Sequence, residues 1–435
     1  MDTNTNKAKV LVVGGGGREH AIVDALSRSS GVGKIFCAPG NAGIAMQAEC
    51  VPIKDTNVAE LADFAEAQGI DLTVVGPESA LAAGIVDEFE LRGLKIFGPS
   101  KAAAVIESSK DFAKALMARH NVPTAAYRTF SSYDEALAYV REGKFPVVLK
   151  YDGLAAGKGV VIAENLQQAD ETLRDMLLDD RFGHGKVVVE EFLTGPEFSF
   201  LCFVNGKEVV PMILAQDHKR AFDGDEGPNT GGMGAYTGLP FVNDEDEKYA
   251  LEHIMKPVAA GMAEEGIPFR GVLYGGLMKT PDGIKAIEFN CRFGDPETEV
   301  VLPALESDIY DIFLAVAEHR PIPEVKWDRK PHIGFVLASK GYPGSYAKGF
   351  EIKGLKALPD DVKVYHMGTS LALLGEGHED FDGTGRSLVT SGGRVLMVLA
   401  GAPTLSEARD KALGAVNSIE CDNLFHRTDI GHWAL

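Results

Sequence analysis

From residue 9 to residue 100, short apolar runs alternate with stretches of helical periodicity. The runs are Lys9–Val13, Lys34–Cys37, Leu72–Val75 and Lys95–Phe97, separated by Glu19–Ser29, Val58–Gln68 and Leu81–Arg92. Helices that return the chain to the same edge after every strand give a parallel, Rossmann-like α/β sheet. Ligands of such sheets gather at the carboxyl ends of the strands. Those ends carry Gly14–Gly17, Pro39–Gly43 and Gly76–Glu78, three loops predicted to form one pocket.

Further along, the pattern changes. A helix (Lys110–His120) leads through Pro123 to a strand at Val147–Lys150, the loop Asp152–Gly159, a second strand at Val160–Ala163, a helical stretch and a strand at Lys186–Glu191. This predicts a small α+β module whose glycine loop is a hairpin. A larger mixed unit follows, with strands at Glu197–Val204, Gly271–Lys279 and Ile284–Phe289. Pro321, Pro323 and Pro331 mark a boundary, and Ile333–Leu435 reads as a small, mainly β domain with one helix near Leu405–Ser418. The expected fold is therefore multidomain α/β and α+β, divided at 1–105, 106–193, 194–327 and 328–435.

The net charge of −20 argues against duplex nucleic acid, which needs a basic stripe. The five cysteines are scattered, with no C-x-x-C spacing, and the eleven histidines show no paired-ligand spacing, so neither a disulfide framework nor a zinc site is expected. Met1–Lys9 lacks a secretory apolar stretch, and no apolar run approaches the roughly 20 residues that span a bilayer. The expectation is a cytoplasmic protein without membrane partners, monomeric, with a dimer as the alternative.

Several segments carry chemistry. Gly14–Gly17 followed by Arg18, Glu19 and His20 puts glycine backbone and a helix N-terminus at a strand end, where an anion is favoured. Glu19 stands where a dinucleotide fingerprint needs glycine, and no Lys-Ser/Thr pair follows, so a single phosphate monoester aided by Arg18 fits better. The alternative is merely a tight turn. In the hairpin Lys150–Gly159, Gly157 and Lys158 at the tip suit a lid over nucleotide phosphates, with Lys150 beneath; a mobile surface hairpin is the competing reading. The run Glu190, Glu191, Phe192, Leu193 ends a buried strand as a hinge able to meet an adenine edge, with Glu197 for ribose hydroxyls. Glu288 and Asn290 alternate onto one face of a strand and suit magnesium, which takes hard oxygen ligands and shares them with phosphates. Arg292 follows, placed to stabilise charge on a transferring phosphoryl group; a surface Glu–Arg pair on a sheet edge is the alternative, disfavoured by the two further carboxylates of the turn Gly294–Glu297. In the polar run Gln216–Arg220, Asp217 and Lys219 are better candidates for substrate contact than His218, which reads as packed or capping.

In this order, Gly16–His20, Pro39–Gly43, Gly76–Glu78, Asp152–Val160, Gln216–Arg220, Gly227–Tyr236 and Glu288–Thr298 closely resemble the phosphoribosylamine–glycine ligases of the ATP-grasp superfamily. The likeness runs on through Ser391–Leu396 and Arg427–Gly431. It implies ligation of glycine to 5-phosphoribosylamine through glycyl phosphate, with ATP consumed and Mg2+ or Mn2+ required. Carried over, it implies that Glu288 and Asn290 hold the metal, and that Lys110, Lys150, Gly157, Lys158, Glu190, Glu191, Phe192, Leu193 and Glu197 bind ATP. Gly16, Gly17, Arg18, Glu19, Gly76, Pro77, Glu78, Gly294 and Asp295 would seat substrate, with Arg292, Asp217 and Lys219 at the chemistry. Tyr151, Glu299 and Ser391 depart from the usual alanine, glutamine and asparagine, and none of them removes a proposed ligand.

Overall fold

The computed structural model describes residues 7–153, 159–179, 185–373 and 379–435. Its N-terminal sheet has five parallel strands in the spatial order Glu49–Cys50, Val32–Pro39, Ala8–Gly14, Leu72–Val75, Ile96–Phe97. The central strand is covered on both faces, which is why Val10–Val13 is one unbroken apolar run. The helix expected over Leu81–Arg92 is instead two helices, Glu78–Ala83 and Ile85–Leu91. Gly84 between them has φ +91°, a left-handed cap that ends the first.

The small module is a four-stranded antiparallel sheet in the order Tyr127–Phe130, Val187–Glu191, Val147–Tyr151, Val160–Ala163. Helices Tyr133–Glu142 and Leu166–Leu177 cover it with Leu137, Val140, Leu173 and Met176. The glycine loop joins neighbouring antiparallel strands as expected, with Lys150 opposite Val160. Strand Tyr127–Phe130 is an addition to the strands expected from the sequence; it is short and buries only Phe130 fully, so it carries no alternating apolar signal.

The third sheet has ten strands. Its main path runs Gly283–Asn290, Arg270–Thr280, Glu197–Asn205, Ala215–Asp217, Gly234–Thr237, His332–Ser339, Arg394–Gly401, Val362–His366. It crosses from the central region into the C-terminal region through Gly234–Thr237 against His332–Ser339. Gly234, φ +158°, permits that crossing: a Cβ there would lie 2.6 Å from the Gly334 carbonyl oxygen. The C-terminal part adds the hairpin Thr369–Leu373 with Arg386–Thr390 and the helix Leu405–Val416, so it is mainly β with one helix. Among the described residues no helix is long and apolar enough to cross a membrane.

Candidate functional site

The three loops of the N-terminal sheet do meet. Gly40 N–H donates to Gly14 O at 3.0 Å, Gly76 N–H to Val13 O at 3.0 Å, and Asn41 Nδ2 to Gly15 O at 2.9 Å. Helix Gly17–Ser27 starts there, capped by its own third residue: Glu19 Oε2 accepts from Gly16 N–H at 2.6 Å. Arg18 Nε donates to the other Glu19 oxygen at 2.6 Å, and its Nη1 to Phe293 O at 3.2 Å. Glu19 is thus engaged in shaping the loop, packed so closely beneath it that a Cβ on Gly14 would sit 2.6 Å from its carboxyl carbon. Across the pocket, Arg292 Nε donates to Glu78 at 3.2 Å and its Nη2 to Glu107 at 2.9 Å. Burial alone would raise the Glu78 carboxyl, but the guanidiniums of Arg292 and Arg18 outweigh it and hold it below the usual carboxylate range. Pro77 stands immediately before helix Glu78–Ala83 and sets its entry.

A second group gathers where the small module faces strand Gly283–Asn290. Lys150 Nζ bonds Ile287 O at 3.0 Å and pairs with Glu190 at 3.0 Å. The other Glu190 oxygen takes Lys114 at 2.8 Å, and Lys114 also donates to Thr124 at 2.7 Å. Lys114 is 2% exposed, and burial, only partly offset by Glu190, lowers its ammonium to about 8. Lys110 reaches the hairpin base, donating to Gly153 O at 3.1 Å; burial lowers it as well. The side chain of Glu190 therefore turns to lysines, and the strand ends at Glu191, so it is Phe192 and Leu193 whose backbone leaves the ladder. Gly157 and Lys158 lie outside the described residues.

Between these groups runs a band of carboxylates and hydroxyls. Lys219 Nζ pairs with Glu197 at 2.9 Å and with Asp217 at 3.5 Å. Burial raises Asp217 to about 6, against the pull of Lys219. Glu297 Oε1 accepts from Ser199 and Tyr274 hydroxyls, both at 2.9 Å, and Gly294 leaves room for its second oxygen. Asp295 is held by Arg394 at 2.8 Å. His218 is a packed residue, its Nε2 accepting from Gly431 N–H at 2.9 Å.

Among the described residues no three His, Cys, Asp or Glu side chains converge as a metal cage. Two oxygen donors nevertheless stand together. Phe289 is buried in the core, so strand alternation puts Glu288 and Asn290 on the opposite face. Asn290 spends its Nδ2 on Phe289 O at 3.1 Å, and its Oδ1 and the Glu288 carboxylate make no hydrogen bond to another described residue. The Glu288 carboxylate favours the charged ammonium of both Lys110 and Lys219. The donor set fits a hard divalent cation that completes its shell with phosphate and water oxygens.

Lys114, Glu107, Ser199, Tyr274, Glu297 and Arg394 belong to this constellation and were not singled out beforehand. Lys114 lies one helical turn after Lys110, and Glu297 closes the Asp295 turn; those spacings were the available signals.

Family models for phosphoribosylglycinamide synthetase match nearly the whole chain: the N domain over residues 8–107, the ATP-grasp (A) domain over 108–298 and the C domain over 332–433. The chain belongs to the phosphoribosylglycinamide synthetase family. A relative from Halalkalibacterium halodurans named phosphoribosylamine–glycine ligase is 49% identical, covering 98% of this chain and 97% of its own. The ligase of the same name from Pseudomonas aeruginosa is 48% identical over 98% of each chain. The crystal structure of phosphoribosylamine–glycine ligase from Thermotoga maritima superposes with a TM-score of 0.82 at 31% identity, covering 98% of this chain and all of that one. A biotin carboxylase from Campylobacter jejuni, 14% identical with TM-score 0.73 and 98% and 94% coverage, shares the fold. In phosphoribosylglycinamide synthetase terms, the loops at 14–18 and 76–78 come from the N domain, the lysines and carboxylates from the ATP-grasp domain, and Arg394 from the C domain.

Proposed function

We propose that this protein is a phosphoribosylamine–glycine ligase that joins glycine to 5-phosphoribosylamine, with ATP cleaved to ADP and phosphate, in purine biosynthesis in the cytoplasm. The observation that carries the reading is the convergence of three sites: a glycine loop with Arg18 at a helix N-terminus, a buried lysine group around Glu190, and an oxygen pair at Glu288 and Asn290. In this reading residues 1–105 seat the phosphosugar, 106–193 form the lid-bearing part, 194–327 carry the chemistry and 328–435 support it.

A carboxylate resists attack by an amine because its charge repels the nucleophile and oxide is a poor leaving group. Transfer of the ATP γ-phosphoryl group to glycine removes the charge and supplies phosphate as leaving group. Lys150 and Lys110, with Lys158, bind the phosphates; Phe192 and Leu193 meet adenine, Glu191 flanks it and Glu197 takes ribose. Glu190 holds Lys150 in place from beneath. Gly16, Gly17 and Arg18 bind the sugar phosphate, with Glu19 shaping their turn and Gly76, Pro77 and Glu78 forming the opposite wall. Arg292 crosses from Glu78 towards the reacting groups and neutralises developing phosphoryl charge, while Gly294 and Asp295 line substrate. Asp217 and Lys219 orient glycine and the acyl phosphate. Glu288 and Asn290 would hold Mg2+ or Mn2+, which supplies charge neutralisation and phosphate orientation when bound. Positioning does most of the work, because no covalent nucleophile is required. We take the working form to be a monomer, with a dimer as the alternative, and no nucleic acid or membrane as partner.

Incubation with ATP, Mg2+, glycine and freshly prepared phosphoribosylamine is expected to release ADP with glycinamide ribonucleotide. Asn290→Ala and Arg292→Ala should each lower kcat by about 100-fold or more. ADP release with another carboxylate but none with glycine would refute the assignment.

A further inference from the structure

Glu299 lies in the short helix Glu297–Val301 beneath the first turn of helix Gly17–Ser27. It is fully buried, and neither carboxyl oxygen finds a hydrogen-bond partner in another described residue. A Cβ on Gly17 would collide with its Oε1, so the carboxyl rests directly against the backbone that opens the glycine loop. An ionised group there would need a cation, and the surroundings offer one that is already engaged. Arg394 gives its Nη1 to the Asp295 carboxylate at 2.8 Å, to Asp295 O at 2.9 Å and to Gly231 O at 2.8 Å. The other facing groups are acidic or neutral: Glu297 on the same helix, held by Ser199 and Tyr274, and Tyr365 from strand Val362–His366, bonded to Asp24 at 3.0 Å.

We infer that Glu299 is a positioning residue that works as a neutral carboxylic acid behind the glycine loop, and that loss of its proton weakens the phosphosugar site. Burial drives its carboxyl well above the ordinary range, and Asp295 adds to the effect, while Arg394 opposes it incompletely. The consequence is electrostatic. A helix N-terminus attracts one anion readily, and a carboxylate pressed against the same turn competes with a phosphate for that field. Neutral Glu299 leaves the field to the phosphate. This inference rests on the proposal that Gly16, Gly17 and Arg18 bind the sugar phosphate.

Calorimetric titration with ribose 5-phosphate tests it, because that probe carries the phosphate without an amine and is already dianionic well above pH 6. Wild type is expected to lose affinity roughly tenfold as the pH is raised above neutrality and the carboxyl ionises. Glu299→Gln keeps the neutral-pH affinity within about twofold and loses the alkaline weakening. Glu299→Met, neutral and free of polar atoms, should also be flat with pH, and stands in if the amide fails to fold. An infrared difference spectrum, wild type minus Glu299→Gln at neutral pH, should show a protonated-carboxyl band. Equal alkaline weakening in wild type and variants, a flat wild-type profile, or only carboxylate bands would each overturn the inference. Failure of ribose 5-phosphate to bind wild type at any pH, with Arg18→Met no different, would instead defeat the phosphosugar reading itself.

Discussion

Asp217 shows what burying a carboxylate costs the folded chain. Its side chain is 9% exposed, and burial lifts its carboxyl to about 6 from the ordinary 3.8. Between those values the folded chain holds a proton that the unfolded chain has released, so stability falls as pH rises through that window. Above it the cost is fully present, on the order of 3 kcal/mol, the pull of Lys219 being already included. Asp217→Asn should therefore unfold at higher urea concentration than wild type at pH 7.5. The two should converge below about pH 3.8, where Asp217 is protonated in the folded and the unfolded chain alike. The same variant should lose most turnover, because the charge paired with Lys219 is gone. Equal midpoints at pH 7.5 would show that Asp217 is not held at a cost. Lys114 presents the opposite sign of charge in a similar place, and Lys114→Met leaves Glu190 with Lys150 alone. A raised KM for ATP with a smaller change in kcat is expected, together with a stability loss of about 3 kcal/mol, read from kinetics and urea unfolding.

The element that ties the base of the glycine loop to the body is helix Lys110–Arg119. Its cap Ser109 accepts from Phe112 N–H at 3.1 Å and donates to Asp152 at 3.4 Å, while Asp111 N–H bonds the other Asp152 oxygen at 3.1 Å. One serine thus closes a helix end and fixes the base of the hairpin that begins after Lys150. Ser109→Ala should cost about 1 kcal/mol in urea unfolding. It should also raise the KM for ATP while leaving the KM for glycine unchanged, because Lys110 is the first residue of that helix and reaches Gly153. An unchanged ATP KM would separate the cap from nucleotide binding.

For the whole molecule, the ten-stranded sheet makes the C-terminal part a structural continuation of the ATP-grasp part. Strand His332–Ser339 pairs with Gly234–Thr237, and Arg394 reaches back to Gly231 and Asp295. Truncation after residue 327 would strip the partner from a buried strand and leave its backbone groups unpaired. The truncated chain is expected to be insoluble or to lack a cooperative melt, whereas the full chain melts with the two regions coupled. Arg394→Met is the gentler test: it should fold, yet weaken substrate binding through Asp295, measured as a raised KM for phosphoribosylamine. A soluble, cooperatively folding truncation would argue against the shared sheet.

The alternation of strands and helices in the first hundred residues, the antiparallel pairing of the strands that flank the glycine loop and the placing of Glu288 with Asn290 on one strand face were legible in the chain, because period and turn chemistry are local; strand Glu49–Cys50, only two residues long, and the break at Gly84 were not. So was the identity of the loops that meet at the sheet edge, since parallel topology leaves them one place to go. What the chain could not reveal is what each charged side chain finds on arrival. Glu190 reads as a hinge residue but turns to Lys114 and Lys150; Glu19 reads as part of a ligand loop but caps its own helix; Glu299 reads as one more polar residue but lies buried with no hydrogen-bond partner for its carboxyl among the other described residues. Those outcomes depend on burial and on groups distant in sequence: Arg292 meets Glu78 and Glu107, and Arg394 meets Asp295. Local pattern sets which face a residue occupies, while desolvation and counter-charge, which decide its protonation and its role, exist only once the sheets have packed.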